Sequence, residues 1–201
     1  GRKLTERLAA TPRIGGRAVI ALDLHDIVPP AAPEIAGVAA TALTGDLAAP
    51  GAAAALAARG PDVVFHLAGV VSGEAEADLE LGYRVNLDGT RALFDALRLA
   101  DGTPRVVYAS SIAVFGAPFP DVIPDEFHAT PLTSYGTQKL IGEALLADYT
   151  RRGFIDGIGI RLPTICVRPG KPNKAASGFF SGIIREPLAG KEALLPVPRS
   201  V

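Results

Sequence analysis

Two side chains four positions apart could together perform acid–base chemistry. Tyr135 carries a phenol and Lys139 an ammonium group, in a segment whose pattern predicts a helix. Residues i and i+4 share one face of a helix, so the ammonium would lie near the phenol. A free phenol has a pKa of about 10, and a neighbouring cation lowers it by stabilising the phenolate. The pair therefore predicts a general base, although the same spacing also occurs on exposed helix faces.

Two hydroxyls precede this pair in the chain. Ser110 and Ser111 follow an apolar run that begins at Arg105 and reads as a buried strand. Ligands of open parallel sheets bind beyond the carboxyl ends of the strands, so either hydroxyl could orient a substrate oxygen. The alternative is that both serines stabilise a turn.

Small residues follow a second apolar run, which begins at Pro61. Leu67, Ala68 and Gly69 would let a flat ligand approach the backbone there. His66 lies inside the run, where a hydrogen-bonded core histidine is a better interpretation than a catalytic base.

Acidic residues follow two further segments. Asp26, at the end of the run from Arg17, could accept hydrogen bonds from the adenine ribose of a dinucleotide, and Asp23 competes for that role. Asp46 could meet the adenine edge. The alternative for each is a turn or helix-capping aspartate.

Alternating strand and helix patterns must position these residues. Apolar runs predict strands over 17–24, 61–68, 105–110 and 154–161, and helical spacing predicts helices over 4–10, 52–59, 81–99 and 134–152. Short runs without polar alternation indicate a doubly wound α/β fold with a parallel sheet. The chain opens on a helix, so we expect this sheet to lack its first strand. Residues 169–201 show no strong pattern and are expected to be part of a C-terminal substrate region.

Composition excludes several classes of protein. The chain has 201 residues, a net charge of −1 and no basic block, which argues against a nucleic-acid partner. Its single cysteine, Cys166, rules out a disulfide framework or cysteine-based metal cluster, and we expect it to be a small buried residue. No apolar run reaches membrane-spanning length and no leader is visible, so we expect a cytoplasmic globular protein without a metal.

Together the motifs resemble the extended short-chain dehydrogenase/reductase superfamily, of the NAD-dependent epimerase/dehydratase type. There the tyrosine is the acid or base, the lysine also holds the nicotinamide ribose and the serine orients the reacting hydroxyl. The resemblance assigns these roles to Tyr135, Lys139 and Ser111, because Ser111 precedes Val114-Phe115-Gly116 as in the family's Ser-x-x-Val-Tyr-Gly pattern.

The resemblance also implies a Rossmann-type NAD-binding domain over residues 1–165 and part of a substrate-binding region over 166–201. Gly1 is similar to the last glycine of the family's phosphate-binding fingerprint. The residues implied to contact NAD are Gly1, Asp26, Asp46, Leu47, Leu67, Ala68, Gly69, Asn86, Tyr135, Lys139, Pro163, Thr164 and Ile165.

Longer stretches, over 70–74, 111–124 and 161–180, resemble the D-erythronate dehydrogenase subgroup. That subgroup oxidises four-carbon sugar acids at C2 to 2-oxo acids with NAD. A carboxylate substrate needs a cation or several donors, and a guanidinium such as that of Arg168 has the matching fork geometry. The implied substrate-binding residues are Ser72, Ser111, Thr164, Arg168, Lys171, Asn173 and Lys174. The alternative for the charged ones is a solvated loop.

Three other functions stay open. The same scaffold serves nucleotide-sugar epimerases and dehydratases, and uronate or other polyol dehydrogenases; a third alternative is a non-catalytic NAD-sensing protein. The family often pairs its two long helices, here 81–99 and 134–152, across a two-fold axis, so we expect a homodimer. The alternative is that their own fold covers both helices.

Overall fold

The strands form two parallel sheets and one hairpin. The computed structural model describes residues 1–168 and 175–198. The strands are β1 (Arg13–Ile14), β2 (Arg17–Ala18), β3 (Ala21–Asp26), β4 (Ala39–Thr44), β5 (Val63–His66), β6 (Arg105–Ser111) and β7 (Asp156–Leu162). β3 pairs with β4, and β5, β6 and β7 form a second sheet in that order, with every ladder of both sheets parallel. The predicted α/β class is confirmed, and within the described ranges no ladder joins β3 to β5.

Helices precede the first strand, follow the last one and occupy several of the connections in between. They are α1 (Arg2–Ala10), α2 (Ala52–Ala57), α3 (Ser72–Ala77), α4 (Leu79–Gly82), α5 (Gly89–Leu99), α6 (Ser134–Arg151) and α7 (Phe179–Leu188). The predicted helix over 81–99 is interrupted by a π-helical turn over Tyr83–Asp88, which lies between α4 and α5. None of the described helices is both long and apolar enough to cross a membrane.

The core lies where α2, α5 and α6 cover the central strand of the larger sheet. Phe94 and Leu97 of α5 meet Val106 and Tyr108 of β6 and Leu146 of α6, and all five are almost completely buried. Burying this apolar surface is the main favourable contribution to folding. It fixes β6 beneath α6, and these two elements carry the serine, the tyrosine and the lysine of the predicted site.

The predicted strand over 17–24 is wrong in its bounds. Residues Arg17–Ala18 pair antiparallel with Arg13–Ile14, and a separate strand begins at Ala21. Gly15 and Gly16, with φ angles of 54° and 81°, close the hairpin. Positive φ at both turn positions is typical of a tight hairpin, and glycine adopts it without steric cost.

Several elements lie where the sequence predicted none, namely β1, β4, α3 and α7. β4 consists mainly of alanine and threonine, so its apolar pattern is weak. α7 lies within the segment from 169 onward, where the sequence shows no strong pattern. Gly182 and Pro187 lower the helix propensity of α7, which hides it in the sequence.

Candidate active site

The N-terminal turn of α6 lies directly against the turn that follows β6. Thr133 caps α6 by accepting a hydrogen bond from the backbone N–H of Gly136 at 3.0 Å. A Cβ at Gly136 would lie 2.1 Å from the carbonyl oxygen of Ala113, so only glycine permits this approach. The contact places Tyr135 beside Ser111, the last residue of β6.

Opposing effects act on the Tyr135 phenol. Burial raises its pKa, and this is the largest contribution; a side-chain hydrogen bond with Ser111 and the positive charge of Arg168 both lower it. The net pKa of Tyr135 lies above its ordinary value. We expected Lys139 to be the lowering cation, and the structure gives that role to Arg168.

The ammonium of Lys139 is buried between two aromatic rings. Its Nζ lies 5.0 Å from the ring centroid of Tyr108 and 5.7 Å from that of Tyr135, and it donates to the carbonyl oxygen of Ala109 at 2.9 Å. Burial lowers the pKa of Lys139 to about 8. The predicted proximity of Tyr135 and Lys139 is therefore present, with the ammonium facing the rings.

The two serines have different surroundings. Ser110 is buried, and its hydroxyl donates to Glu143, whose carboxylate also accepts two-point hydrogen bonds from Arg161. Ser111 instead faces Tyr135 and accepts from the backbone N–H of Ala113 at 3.1 Å. Ser110 is thus held by structural partners, and Ser111 lies at the site. Sequence reasoning missed the network of Glu143, whose only signal is its four-residue spacing from Lys139 on one helix face.

A buried amide network adjoins Lys139. Asn86, from the π-helical turn, accepts from the N–H of Val70 at 2.9 Å and donates to the Gln138 amide oxygen at 2.8 Å. A Cβ at Gly69 would lie 2.8 Å from Asn86 Oδ1 and 3.7 Å from Lys139 Nζ. Glycine at position 69 therefore lets the backbone pass close to Asn86 and to the Lys139 ammonium, where a side chain would clash. Gln138 was not identified from the sequence, where its only signal is its place on the buried face of α6.

The acidic candidates lie at the carboxyl ends of β3 and β4. Asp26 is the exposed last residue of β3 and accepts from the N–H of Val28. Asp23 lies within β3 and pairs with Arg59. Asp46 accepts from the N–H of Ala48 at 2.9 Å, and its second oxygen pairs with Arg84. Both oxygens of Asp46 are therefore engaged within the chain.

The histidine behaves as a core residue. Only 4% of the surface of His66 is exposed, and burial lowers its pKa to about 3, so the ring is neutral. Its Nε2 lies 2.8 Å from the Thr90 hydroxyl, which donates to the carbonyl oxygen of Asn86. Because the Thr90 hydroxyl already donates its proton to Asn86, it can only accept from His66. His66 therefore donates to Thr90 through Nε2.

The other proposed cofactor contacts have varied surroundings. Leu67, Ala68 and Gly69 are exposed beyond the end of β5. Leu47 is half-buried against the core cluster. Gly1 stands exposed at the N-terminus of α1, and its carbonyl accepts from Thr5.

The substrate candidates gather beyond β7 and at α3. Arg168 is half-buried and its charge lowers the pKa of Tyr135, and Ser72 begins α3. Thr164 is half-buried between exposed Pro163 and Ile165. Cys166 is exposed, so the expectation that it is buried is wrong: it lies in the segment that leaves the sheet after β7. The remaining candidates, Lys171, Asn173 and Lys174, lie outside the described residues.

Known proteins match this chain over most of its length. A profile of the NAD dependent epimerase/dehydratase family matches residues 1–198. D-erythronate dehydrogenase of Cupriavidus necator is 53% identical over 180 residues, 90% of this chain and 55% of that protein. D-erythronate dehydrogenase of Haemophilus influenzae is 52% identical over 136 residues, 68% of this chain and 43% of that protein.

A solved structure matches the whole chain. The crystal structure of the nucleoside-diphosphate-sugar epimerase from Agrobacterium tumefaciens is 64% identical, with a TM-score of 0.93. It covers 100% of this chain, which corresponds to 60% of that protein. The chain thus spans about half the length of the curated relatives it matches.

Proposed function

The chain belongs to the NAD dependent epimerase/dehydratase family, and from that premise we propose that it catalyses a dehydrogenase reaction on a four-carbon sugar acid. The substrate is D-erythronate, the bond broken is the C2–H bond, and the product is the 2-oxo acid. NAD is the cofactor of the reaction, and the enzyme acts in the cytoplasm.

One observation carries the catalytic part of this proposal. Tyr135, Ser111 and Lys139 come from two elements and meet at the carboxyl end of β6, where the Ser111 side chain lowers the pKa of the Tyr135 phenol and the Lys139 ammonium lies 5.7 Å from its ring centroid. Oxidation of an alcohol needs a group that removes the hydroxyl proton and a group that holds the oxygen. The identity of 53% to D-erythronate dehydrogenase of Cupriavidus necator supports the choice of substrate.

The residues of this edge fit NAD. The backbone of Gly69 is exposed and passes close to Lys139 without a side chain in between, and Asp26 ends β3 as an exposed carboxylate. An acid at this position accepts hydrogen bonds from the ribose hydroxyls and disfavours a 2′-phosphate. When bound, NAD supplies the acceptor for the hydride of C2 and a positively charged ring near the phenol. Lys139 would hold its nicotinamide ribose, and Gly69 and Asn86 would lie beside it.

The residues of the chain handle the proton. Tyr135, as phenolate, accepts the proton of the C2 hydroxyl, and Ser111 donates a hydrogen bond that orients the same oxygen. Arg168 favours the phenolate electrostatically, which offsets part of the effect of burial. General-base catalysis of this kind contributes about 10²–10⁴-fold to the rate. Orientation of the C2–H bond by the surrounding residues supplies much of the rest.

The carboxylate of the substrate needs a cation close to C2. The Tyr135 phenol lies at the C2 hydroxyl in this proposal, and the carboxylate carbon C1 is bonded directly to C2. A positive charge close enough to act on the phenol is therefore also close enough to attract the carboxylate. Among the described candidates Arg168 meets this requirement, and its guanidinium can bind a carboxylate through two hydrogen bonds. Ser72 and Thr164 are proposed to contact sugar hydroxyls.

The experiment follows NADH formation by absorbance with the full-length protein. The panel holds D-erythronate, L-threonate, D-glucuronate and UDP-glucose, each with NAD and with NADP. We expect NADH with D-erythronate and little reaction with NADP. If no NADH forms with any of the acids, the proposed substrate class is refuted.

A second candidate function has its own supporting observation. The Agrobacterium tumefaciens structure at 64% identity is that of a nucleoside-diphosphate-sugar epimerase. On this alternative Arg168 would contact a phosphate of the substrate. Interconversion of UDP-glucose without net NADH would favour it over the dehydrogenase.

A further inference from the structure

Both backbone polar groups of Arg168 are held by side chains of α7. The N–H of Arg168 donates to Ser181 Oγ at 2.9 Å, and Nη1 of Arg185 donates to the carbonyl oxygen of Arg168 at 2.7 Å. Ser181 and Arg185 are four positions apart, so they share one face of α7. We call these two side chains the α7 clamp.

Each member of the clamp is well enclosed. Ser181 is 2% exposed, and its hydroxyl also donates to the carbonyl oxygen of Ile165 at 3.3 Å. The same hydroxyl therefore ties together the two ends of the short segment 165–168. Arg185 pairs with Glu186, and both side chains are mostly buried. A buried guanidinium directed at a backbone carbonyl fixes that carbonyl firmly, because an unmade hydrogen bond there would be costly.

The clamped residue faces the reacting groups. The segment that carries Arg168 leaves the sheet at Leu162, which pairs with Ser111, so it starts at the edge where the reacting groups lie. The charge of the half-buried Arg168 also lowers the pKa of Tyr135. A guanidinium on a flexible stem gains affinity for a carboxylate when its backbone is fixed beforehand, since less conformational freedom is lost on binding. Segment 165–168 belongs to neither β7 nor α7, so the clamp supplies this fixation.

We propose that Ser181 and Arg185 are positioning residues that hold Arg168 for the carboxylate of the substrate. They act through Arg168 and do not touch the substrate. This inference rests on the proposed function, because it assigns the acid group of that substrate to Arg168.

The test measures steady-state kinetics of the full-length protein with D-erythronate and NAD. Ser181→Ala removes the acceptor of the Arg168 N–H and should raise KM for the acid by about tenfold, the effect of losing one hydrogen bond. The rising limb of kcat against pH should move to higher pH, since Arg168 favours the phenolate less well. KM for NAD should stay as in the parent. A purely structural defect would not move the pH profile.

Three variants at the adjacent positions 185 and 186 separate the effect of the clamp from that of its surroundings. Arg185→Lys keeps a cationic donor for the carbonyl of Arg168 and should restore much of the affinity that Arg185→Ala loses. Glu186→Gln removes the ion pair with Arg185 but leaves the clamp intact, and should leave KM for the acid unchanged.

A double-mutant cycle gives the decisive result. If Ser181 acts through Arg168, Ser181→Ala adds nothing to KM once Arg168→Ala is present. Full additivity of the two losses, or an unchanged KM in Ser181→Ala, would overturn the proposal.

Failure of the proposed function leaves a separate signature. If the parent forms no NADH with any acid, the substrate assignment is wrong. The role of the clamp is then tested separately by ultraviolet titration of the tyrosine phenols. The phenol assigned to Tyr135 by comparison with Tyr135→Phe should titrate at higher pH in Ser181→Ala. Coincident curves for parent and Ser181→Ala would overturn the clamp.

Discussion

At the scale of single residues, burial and charge compete at the Tyr135 phenol. Desolvation favours the neutral phenol, while Ser111 and Arg168 favour the phenolate. A base that is too easily ionised would be weak, and one that never ionises would be inactive. The pKa of the Tyr135 phenol therefore depends on the charged and polar side chains around it.

Replacement of Tyr135 by phenylalanine tests its role as the base. Tyr135→Phe removes the hydroxyl and keeps the ring, so turnover should fall about 10²–10⁴-fold while NAD affinity is retained. The comparison uses kcat and a cofactor titration by fluorescence. Tyr149→Phe is the matched control, since Tyr149 donates to Asp95 away from the site. Parental turnover in Tyr135→Phe would contradict the assignment.

The buried ammonium of Lys139 makes stability depend on pH. Its pKa is about 8 in the folded chain against 10.5 as the reference value, so the unfolded chain binds more protons between these pH values. The free energy of unfolding therefore rises with pH over this window relative to a variant without the ammonium, by about 3 kcal/mol in total.

Chemical denaturation at several pH values measures this difference. The parent is compared with Lys139→Met, which keeps the length of the side chain and removes the charge. Lys191→Met, at an exposed position, controls for the loss of one lysine. A difference between parent and Lys139→Met that stays constant from pH 8 to 10.5 would show that the ammonium is not desolvated.

The sequence predicted some residue-scale features and missed others for a physical reason. The proximity of Tyr135 and Lys139 follows from helix geometry alone, because four positions make a neighbour on one face. The cation that lowers the pKa of Tyr135 is Arg168, which lies 33 positions away and enters only when β7 and α7 are in place. Contacts between distant segments leave no periodic signal.

At the scale of elements, the close contact between α6 and the turn after β6 determines the site. Gly136 permits it, because any side chain there would overlap the backbone of Ala113. Backbone cannot move aside as a flexible side chain can, so the start of α6 would have to shift. Tyr135 would shift with it.

Gly136→Ala should therefore reduce kcat strongly while both Tyr135 and Lys139 remain in the chain. The steady-state rate is measured together with circular dichroism, which should stay helical. Gly89→Ala in α5 is the matched control: its Cβ would lie 3.6 Å from Ala48, an ordinary contact. Parental kcat in Gly136→Ala would mean that this contact does not position the phenol.

Elements with strong patterns were predictable and those with weak ones were not. The helix at 134–152 and the strands over 61–68, 105–110 and 154–161 lie close to their observed bounds, because their apolar residues are large and regularly spaced. The alanine-rich β4 gives almost no such pattern. Its pairing with β3 decides its structure, and pairing is a tertiary effect.

At the scale of the whole molecule, the site is assembled from segments far apart in the sequence. The parallel ladders bring the ends of β5, β6 and β7 to one edge, where Gly69, Ser111 and the segment after Leu162 meet α6. This gathering was predictable, since parallel strands share one carboxyl edge. The pairing of individual side chains was not predictable from the sequence. Two examples are Arg168, which acts on Tyr135, and Asp23, which pairs with Arg59.

The outer face of α6 leads to a prediction about assembly. Leu140, Ala144 and Ala147 follow helical spacing and are exposed or half-buried. A stripe of small and apolar residues permits close helix packing, and together with the family resemblance it leads us to expect a symmetric homodimer.

Sedimentation velocity over a range of concentrations measures that assembly. The full-length protein should sediment as two chains, and Ala144→Arg should yield a single chain, because a symmetric contact would bring two added charges together. Ala54→Arg, at an exposed position of α2, is the matched control and should leave the mass unchanged. A parent that sediments as one chain at every concentration would contradict the dimer, and an unaltered dimer in Ala144→Arg would move the interface away from this face of α6.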